Sequence, residues 1–204
     1  MAEKVEAGQP VELRKKHGLH IVDIALIGLF VALMTVGGKI RINLGPIPFT
    51  TQFFFSSVGG MVLGAKRGVV VQLVYLAMGL VGLPVFADGG GFGYIFHLTF
   101  GYIVGFVASA LVCGLVSDRL FSRKGNMRFW QAFLAALSGL LLLYLVGTVY
   151  FLAVKNFYLG EASGVGNALI ACVVPFMWTD ILWCICVALA APRIRKAVDR
   201  KSVV

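Results

Sequence analysis

The sequence predicts an all-α integral membrane protein that crosses the bilayer with six helices. Three observations lead there: the composition, the lengths of the apolar runs and the placement of the basic residues. Of 204 residues, 59% are hydrophobic and only 13% charged, with a mean hydropathy of +0.92. A soluble domain needs far more polar side chains to cover its surface. Six apolar runs, at 21–37, 49–65, 69–86, 95–116, 129–154 and 173–191, approach the roughly 20 helical residues that span a hydrocarbon core of about 30 Å. They are continuous, whereas a spanning strand would alternate polar and apolar residues over about ten positions.

The basic residues set the orientation. With the N-terminus inside, the inner segments carry Lys4, Arg14, Lys15 and Lys16, then Lys66 and Arg67, then Arg119, Arg123, Lys124 and Arg128. Arg193, Arg195, Lys196, Arg200 and Lys201 complete the inner set, leaving only Lys39, Arg41 and Lys155 outside. This positive-inside bias fits an even number of spans with both termini cytoplasmic. Residues 1–19 read as a cytoplasmic tail, 20–192 as the six-helix membrane domain and 193–204 as a basic cytoplasmic tail. No small-residue cleavage pattern follows the first apolar run, so no signal peptide is expected.

Several function classes are excluded. The net charge of +9 is spread over inner loops, with no basic patch interleaved with aromatics to hold a nucleic acid. Cys113, Cys172, Cys184 and Cys186 lie in or near apolar runs without zinc spacing, and Cys184 and Cys186 point to different sides of a helix. No phosphate-binding GxxxxGK[ST] loop, nucleophile elbow, paired-histidine metal motif or intramembrane aspartate pair occurs. An enzyme is not expected, nor is a cofactor or a metal.

Polar groups within apolar runs carry the functional information, because a carboxylate near the bilayer centre costs at least about 2.5 kcal/mol on insertion scales. Asp180, in Pro175-Phe-Met-Trp-Thr-Asp-Ile-Leu-Trp183, reads as a helix cap near the outer interface, as an acceptor lining an outward-facing cavity, or as both. Asp23 reads as interfacial, and His97 beside Thr99 as a satisfied interfacial group. Two segments converge on the side that bears Asp180. Lys39-Ile-Arg-Ile-Asn-Leu-Gly-Pro-Ile-Pro-Phe-Thr-Thr-Gln52 places Thr50, Thr51 and Gln52 at the mouth of the second span. Gly82-Leu-Pro-Val-Phe-Ala-Asp-Gly-Gly-Gly-Phe-Gly-Tyr94 offers Phe86, Phe92 and Tyr94 as flat faces, with Gly89, Gly90 and Gly91 allowing close backbone approach. Gly28 and Ala32 form a small-residue pair on the first span, a face suited to a partner helix.

Gly45-Pro-Ile-Pro-Phe-Thr-Thr-Gln52, Gly64-Ala-Lys-Arg-Gly68, Tyr75, Gly79-x2-Gly82-Leu-Pro-Val-Phe86, Phe100-Gly-Tyr-x2-Gly-Phe106 and Pro175-Phe with Asp180 together resemble the BioY family. Its members are the biotin-binding S-components of energy-coupling factor (ECF) transporters. The resemblance implies an S-component-like six-helix bundle that captures biotin from outside and works with a transmembrane coupling protein and two ATPases. It implies a pocket closed by the first loop and floored by the spans bearing Gln52, Tyr75, Tyr102 and Asp180, with Asp180 accepting the ureido N–H groups. Phe86, Tyr102 and Trp183 would surround the rings and tail.

One departure stands out, because family members usually carry lysine three residues after this aspartate and this chain has Trp183. Its place on the face of Asp180 suggests that it borders the pocket, but it cannot pair with a carboxylate. Of the outer cations, Arg41 is the expected replacement, being in the loop nearest Thr50 and Gln52. Two other readings stay open: an S-component for another small vitamin or metabolite, and, more distantly, a membrane enzyme or stand-alone channel using Asp180 and His97.

Overall fold

The computed structural model describes residues 21–43, 47–124, 126–161 and 164–201, so the whole of the expected N-terminal tail, 1–19, lies outside the described residues. The described residues form seven α-helices and one short hairpin, in order: α1 (Ile21–Lys39), β1 (Arg41–Asn43), β2 (Pro48–Thr50), α2 (Gln52–Leu63), α3 (Ala65–Leu80), α4 (Phe100–Lys124), α5 (Phe129–Ala153), α6 (Val165–Cys172) and α7 (Met177–Lys201). A 3₁₀ turn at Phe92–Phe96 precedes α4, and a π turn at Val154–Tyr158 extends α5. The 193–204 segment, expected as a tail, continues α7 in helical form through Lys201.

Among the described residues, three helices are long and apolar enough to cross a membrane: α1, α4 over Phe100–Arg123, and α5 with its π turn over Phe129–Tyr158. α6 and α7 pass as a pair bent by 56°, giving up to four spans. The multi-pass membrane character thus follows from helix length and apolarity, whereas the expected count of six does not follow from these criteria. Apolar segments 49–65 and 69–86 are the cause. The first gives up Phe49 and Thr50 to the hairpin and yields a twelve-residue α2, about 18 Å long. The second yields the sixteen-residue α3, whose first turn carries Lys66 and Arg67.

A single residue, Gly64, separates α2 from α3. Its φ of 81° lies in the left-handed region that only glycine adopts freely, and a Cβ there would sit 2.6 Å from Asp118 Oδ1. Asp118 fills that notch for a reason: its Oδ2 accepts the Ala65 N–H at 2.9 Å, satisfying one of the open donors of the first turn of α3. Its other oxygen accepts from Arg195 at 2.7 Å. The same guanidinium donates to the Met61 carbonyl and the Ser117 hydroxyl and stacks on Phe121. One end of the bundle is therefore tied across α2, α3, α4 and α7. On α1, buried Asp23, Ile27, Phe30, Val31 and Met34 recur at helical spacing and face the bundle, and Asp23 pairs with Arg67 of α3 at 2.8 Å.

The central helix α4 packs against α2, α3 and α5. Close approach depends on small residues, as expected where lipid offers no hydrophobic drive between helices. A Cβ on Gly60 would lie 2.5 Å from the Ala110 carbonyl oxygen, which is backbone and cannot swing aside. Gly60→Val should therefore destabilise the fold by about 1–3 kcal/mol through overpacking. Thermal unfolding in detergent checks this, and an unchanged midpoint would mean that the α2–α4 crossing tolerates a looser fit.

Candidate functional site

At the end of the bundle away from Arg195, the first connection folds back as the β1–β2 hairpin, with Arg41 opposite Thr50, Ile42 opposite Phe49 and Asn43 opposite Pro48. Pro48 donates no N–H, which a two-stranded edge accommodates. The hairpin roofs a cavity of about 70 Å³ that is partly open to the surface. Ile47, Pro48, Phe49 and Thr50 line it from above together with Ala87. Below, α2 contributes Gln52 and Phe53, α4 contributes Tyr102, Ile103 and Phe106, and α5 contributes Leu143 and Tyr144. Cys172, Phe176 and Asp180 close the remaining side, and Phe176 stacks on Phe49 of the roof at 6.3 Å between ring centroids.

The wall is apolar except at a few points, and each point is held. Asp180, in the first turn of α7 and only 6% exposed, accepts a 2.5 Å hydrogen bond from the Tyr144 hydroxyl. Among the described residues that is its one hydrogen bond, and its second oxygen takes none. It does not cap α7, because its own N–H already bonds to the Phe176 carbonyl and Thr179 turns its hydroxyl to that same carbonyl. Gln52 begins α2 with its amide donating to the Met34 carbonyl at 3.2 Å and to Tyr75 Oη at 2.6 Å, while the Thr50 hydroxyl donates to Gln52 Oε1. The Tyr102 ring lies against Gly147, where a Cβ would come within 2.6 Å, and its hydroxyl donates to the Cys172 carbonyl. Tyr94 and Thr99 form the rim, hydroxyl to hydroxyl at 3.0 Å, with His97 Nδ1 2.8 Å from Thr99 Oγ1. Burial raises the Tyr94 hydroxyl above its ordinary value, so it is protonated at neutral pH.

Of the residues expected at a site, Thr50, Gln52, Tyr102 and Asp180 line this one cavity. Tyr75 and Phe86 stand one layer behind it, fully buried, with the Tyr75 hydroxyl donating to the Val85 carbonyl and its ring edge-on to Phe86 at 5.5 Å. Phe86 fits because Gly79 has no side chain: a Cβ there would fall 2.0 Å from the ring. Gly90 packs on the Leu83 carbonyl, and the Gly91 N–H bonds to the Gly79 carbonyl, so both brace the second loop and neither lines the cavity.

Two expected positions serve elsewhere. Arg41 pairs with Asp88 and donates to the Ala87 carbonyl, clamping the hairpin to the second loop. Trp183, turned about 60° around the helix from Asp180, drops its indole into the α2–α7 groove against Phe54 at 5.1 Å. Gly28 and Ala32 lie on the exposed side of α1, with nothing within 4 Å of a Cβ on Gly28.

Tyr144 is the important residue that sequence reading passed over. The signal was present: a lone hydroxyl in Leu140-Leu-Leu-Leu-Tyr-Leu-Val146 must find a partner in an apolar interior.

Comparison with known proteins bears on this arrangement. A model of the BioY family matches residues 11–200. A probable biotin transporter BioY from Lysinibacillus sphaericus is 37% identical over 175 residues, covering 86% of this chain and 87% of that protein. A biotin transporter BioY from Thermotoga maritima is 36% identical over 170 residues, covering 83% and 93%. The crystal structure of the S-component for biotin from an ECF-type ABC transporter superposes with a TM-score of 0.72 at 21% identity, covering 86% of this chain and 92% of that one, and shows the shared fold. On the length and identity of these matches, the chain belongs to the BioY family.

Proposed function

We propose that this protein is the substrate-binding membrane subunit for biotin uptake, and that the cavity beneath the hairpin is where biotin sits. The observation that carries the reading is Asp180, a buried carboxylate with one oxygen held by Tyr144 and the other without a hydrogen bond among the described residues. A ureido ring presents N–H groups, and charge-assisted bonds from them to a carboxylate are shorter and stronger than neutral ones. The apolar remainder of the site suits the fused rings and aliphatic tail, with Tyr102, Phe49, Phe106 and Phe176 as contact surfaces. Thr50 and Gln52 add polar groups on the hairpin side. Tyr75, Phe86, Gly90, Gly91 and Arg41 support these from behind or from the roof, and Trp183 fixes α7 against α2.

In this reading the hairpin end faces outside and both termini are cytoplasmic. The six crossings are α1, α2, α3, α4, α5 and the bent α6–α7 pair, with the hairpin and second loop filling the depth that the short α2 and α3 leave. The chain has no phosphate-binding loop of its own, so uptake depends on an ECF transmembrane coupling protein and two ATPase subunits. The exposed Gly28 and Ala32 side of α1 is the proposed docking face. Trp183 in place of the usual lysine keeps a second reading in view, an S-component for another small vitamin.

Three outcomes follow. Asp180→Ala should weaken biotin binding by about 1–3 kcal/mol, roughly five- to 150-fold, in titration of the purified protein; equal affinity would remove the carboxylate from the ligand. Tyr144→Phe should retain the fold and change biotin affinity, because the carboxylate then turns freely; an affinity matching the parent would make the tyrosine a packing residue only. Leucine at both Gly28 and Ala32 should abolish co-purification with the coupling protein while sparing biotin binding, and simultaneous loss of both would point to internal packing instead.

A further inference from the structure

The cavity is short of positive charge. Among the described residues, no Lys, Arg or His lines it, and Asp180 is the single carboxylate. The connections at that end of the bundle contain three cations, and each is committed elsewhere. Arg41 pairs with Asp88 and bonds to the Ala87 carbonyl. Lys39 Nζ donates to the Phe86 carbonyl at 2.8 Å. Lys155 lies 3.5 Å from Glu161 and 5.8 Å from the centre of the Phe151 ring. His97 is turned to Thr99. Positions 44–46 and 162–163, outside the described residues, are Leu, Gly, Pro, Ala and Ser and carry no charge.

A ligand carboxylate drawn down toward Asp180 would meet a like charge in a medium of low dielectric with no cation to offset either. A ligand that is anionic at one end and rich in neutral N–H groups at the other has one favourable orientation. Its N–H end goes down to Asp180, and its carboxylate stays at the open mouth, in water. A carboxylate left hydrated contributes little to affinity, and replacing it with a neutral amide of the same shape removes no ion pair.

We propose that this protein recognises biotin through its ureido end and apolar body without reading the charge of the tail, and accepts biotin derivatives whose tail carboxylate is neutralised, with biotinamide as the simplest case. The proposal rests on the biotin reading of the cavity and adds a substrate class to it. It also makes Arg41 and Lys39 clamps of the roof and not readers of the tail.

Titration of the full-length protein in nanodiscs with biotin and with biotinamide tests it. The expected result is two dissociation constants within threefold of each other, with the ratio unchanged in Arg41→Gln. Biotinamide binding more than threefold weaker than biotin would overturn the proposal, since a cation would then be reading the carboxylate. A shift of the ratio beyond threefold in Arg41→Gln would overturn it too, and would identify that cation. If biotin itself fails to bind, the biotin assignment falls first and the proposal with it, an outcome separate from a preference between the two ligands.

Discussion

A carboxylate held inside an apolar bundle is the constraint around which the site is arranged. Asp180 is only 6% exposed, so its charge calls for hydrogen-bond donors within the site. Tyr144, reaching across from α5, satisfies one oxygen. The two helices that carry this pair, α5 and α7, pack directly on each other, so the bond is braced by the same contact that closes the bundle. What remains is an acceptor of high capacity facing an apolar cavity, an arrangement that makes sense when a ligand supplies the missing donors.

The roof follows from different physics. A hairpin and a glycine-rich loop have little apolar surface with which to hold themselves down, so polar contacts do it. Lys39 bonds to Phe86, Arg41 bonds to Ala87 and pairs with Asp88, and the short β1–β2 ladder sets Thr50 over the mouth. Beneath them, the stack of Tyr75, Phe86, Tyr94 and His97 forms a continuous run of rings, allowed by the bare backbone of Gly79. Charges used as fasteners are not free to act as ligand contacts, which is why the cavity below is lined almost entirely by neutral groups. At the opposite end, Arg195 and Asp118 do comparable work on the α2–α3 junction.

Much of this was legible in the residues. Long apolar runs and costly polar groups were enough to anticipate the helical membrane class and to single out Thr50, Gln52 and Asp180, and the family resemblance added Tyr102; all four line the cavity. Residues whose role depends on three-dimensional partners were not readable. Arg41 looked available to a ligand because it sits in the loop nearest Thr50 and Gln52, yet Asp88, 47 residues on, meets it in space. Trp183 was placed by helical spacing toward the cavity, but side-chain bulk and the nearby Phe54 send it into a groove. The hairpin has no strand signature beyond Ile-Asn and Pro-Phe-Thr, and the short α2 hides in an apolar stretch whose length alone suggests a full crossing. Family membership, by contrast, rested on motifs in order along the chain, which fold irregularities do not disturb.

The most direct measurement is an experimental structure of the protein with biotin bound. The account predicts a ureido nitrogen within about 2.7–2.9 Å of the Asp180 oxygen that Tyr144 leaves open, with the rings among Tyr102, Phe106 and Phe176. A ligand seated elsewhere, or rings in this cavity with the tail carboxylate turned down toward Asp180, would contradict it.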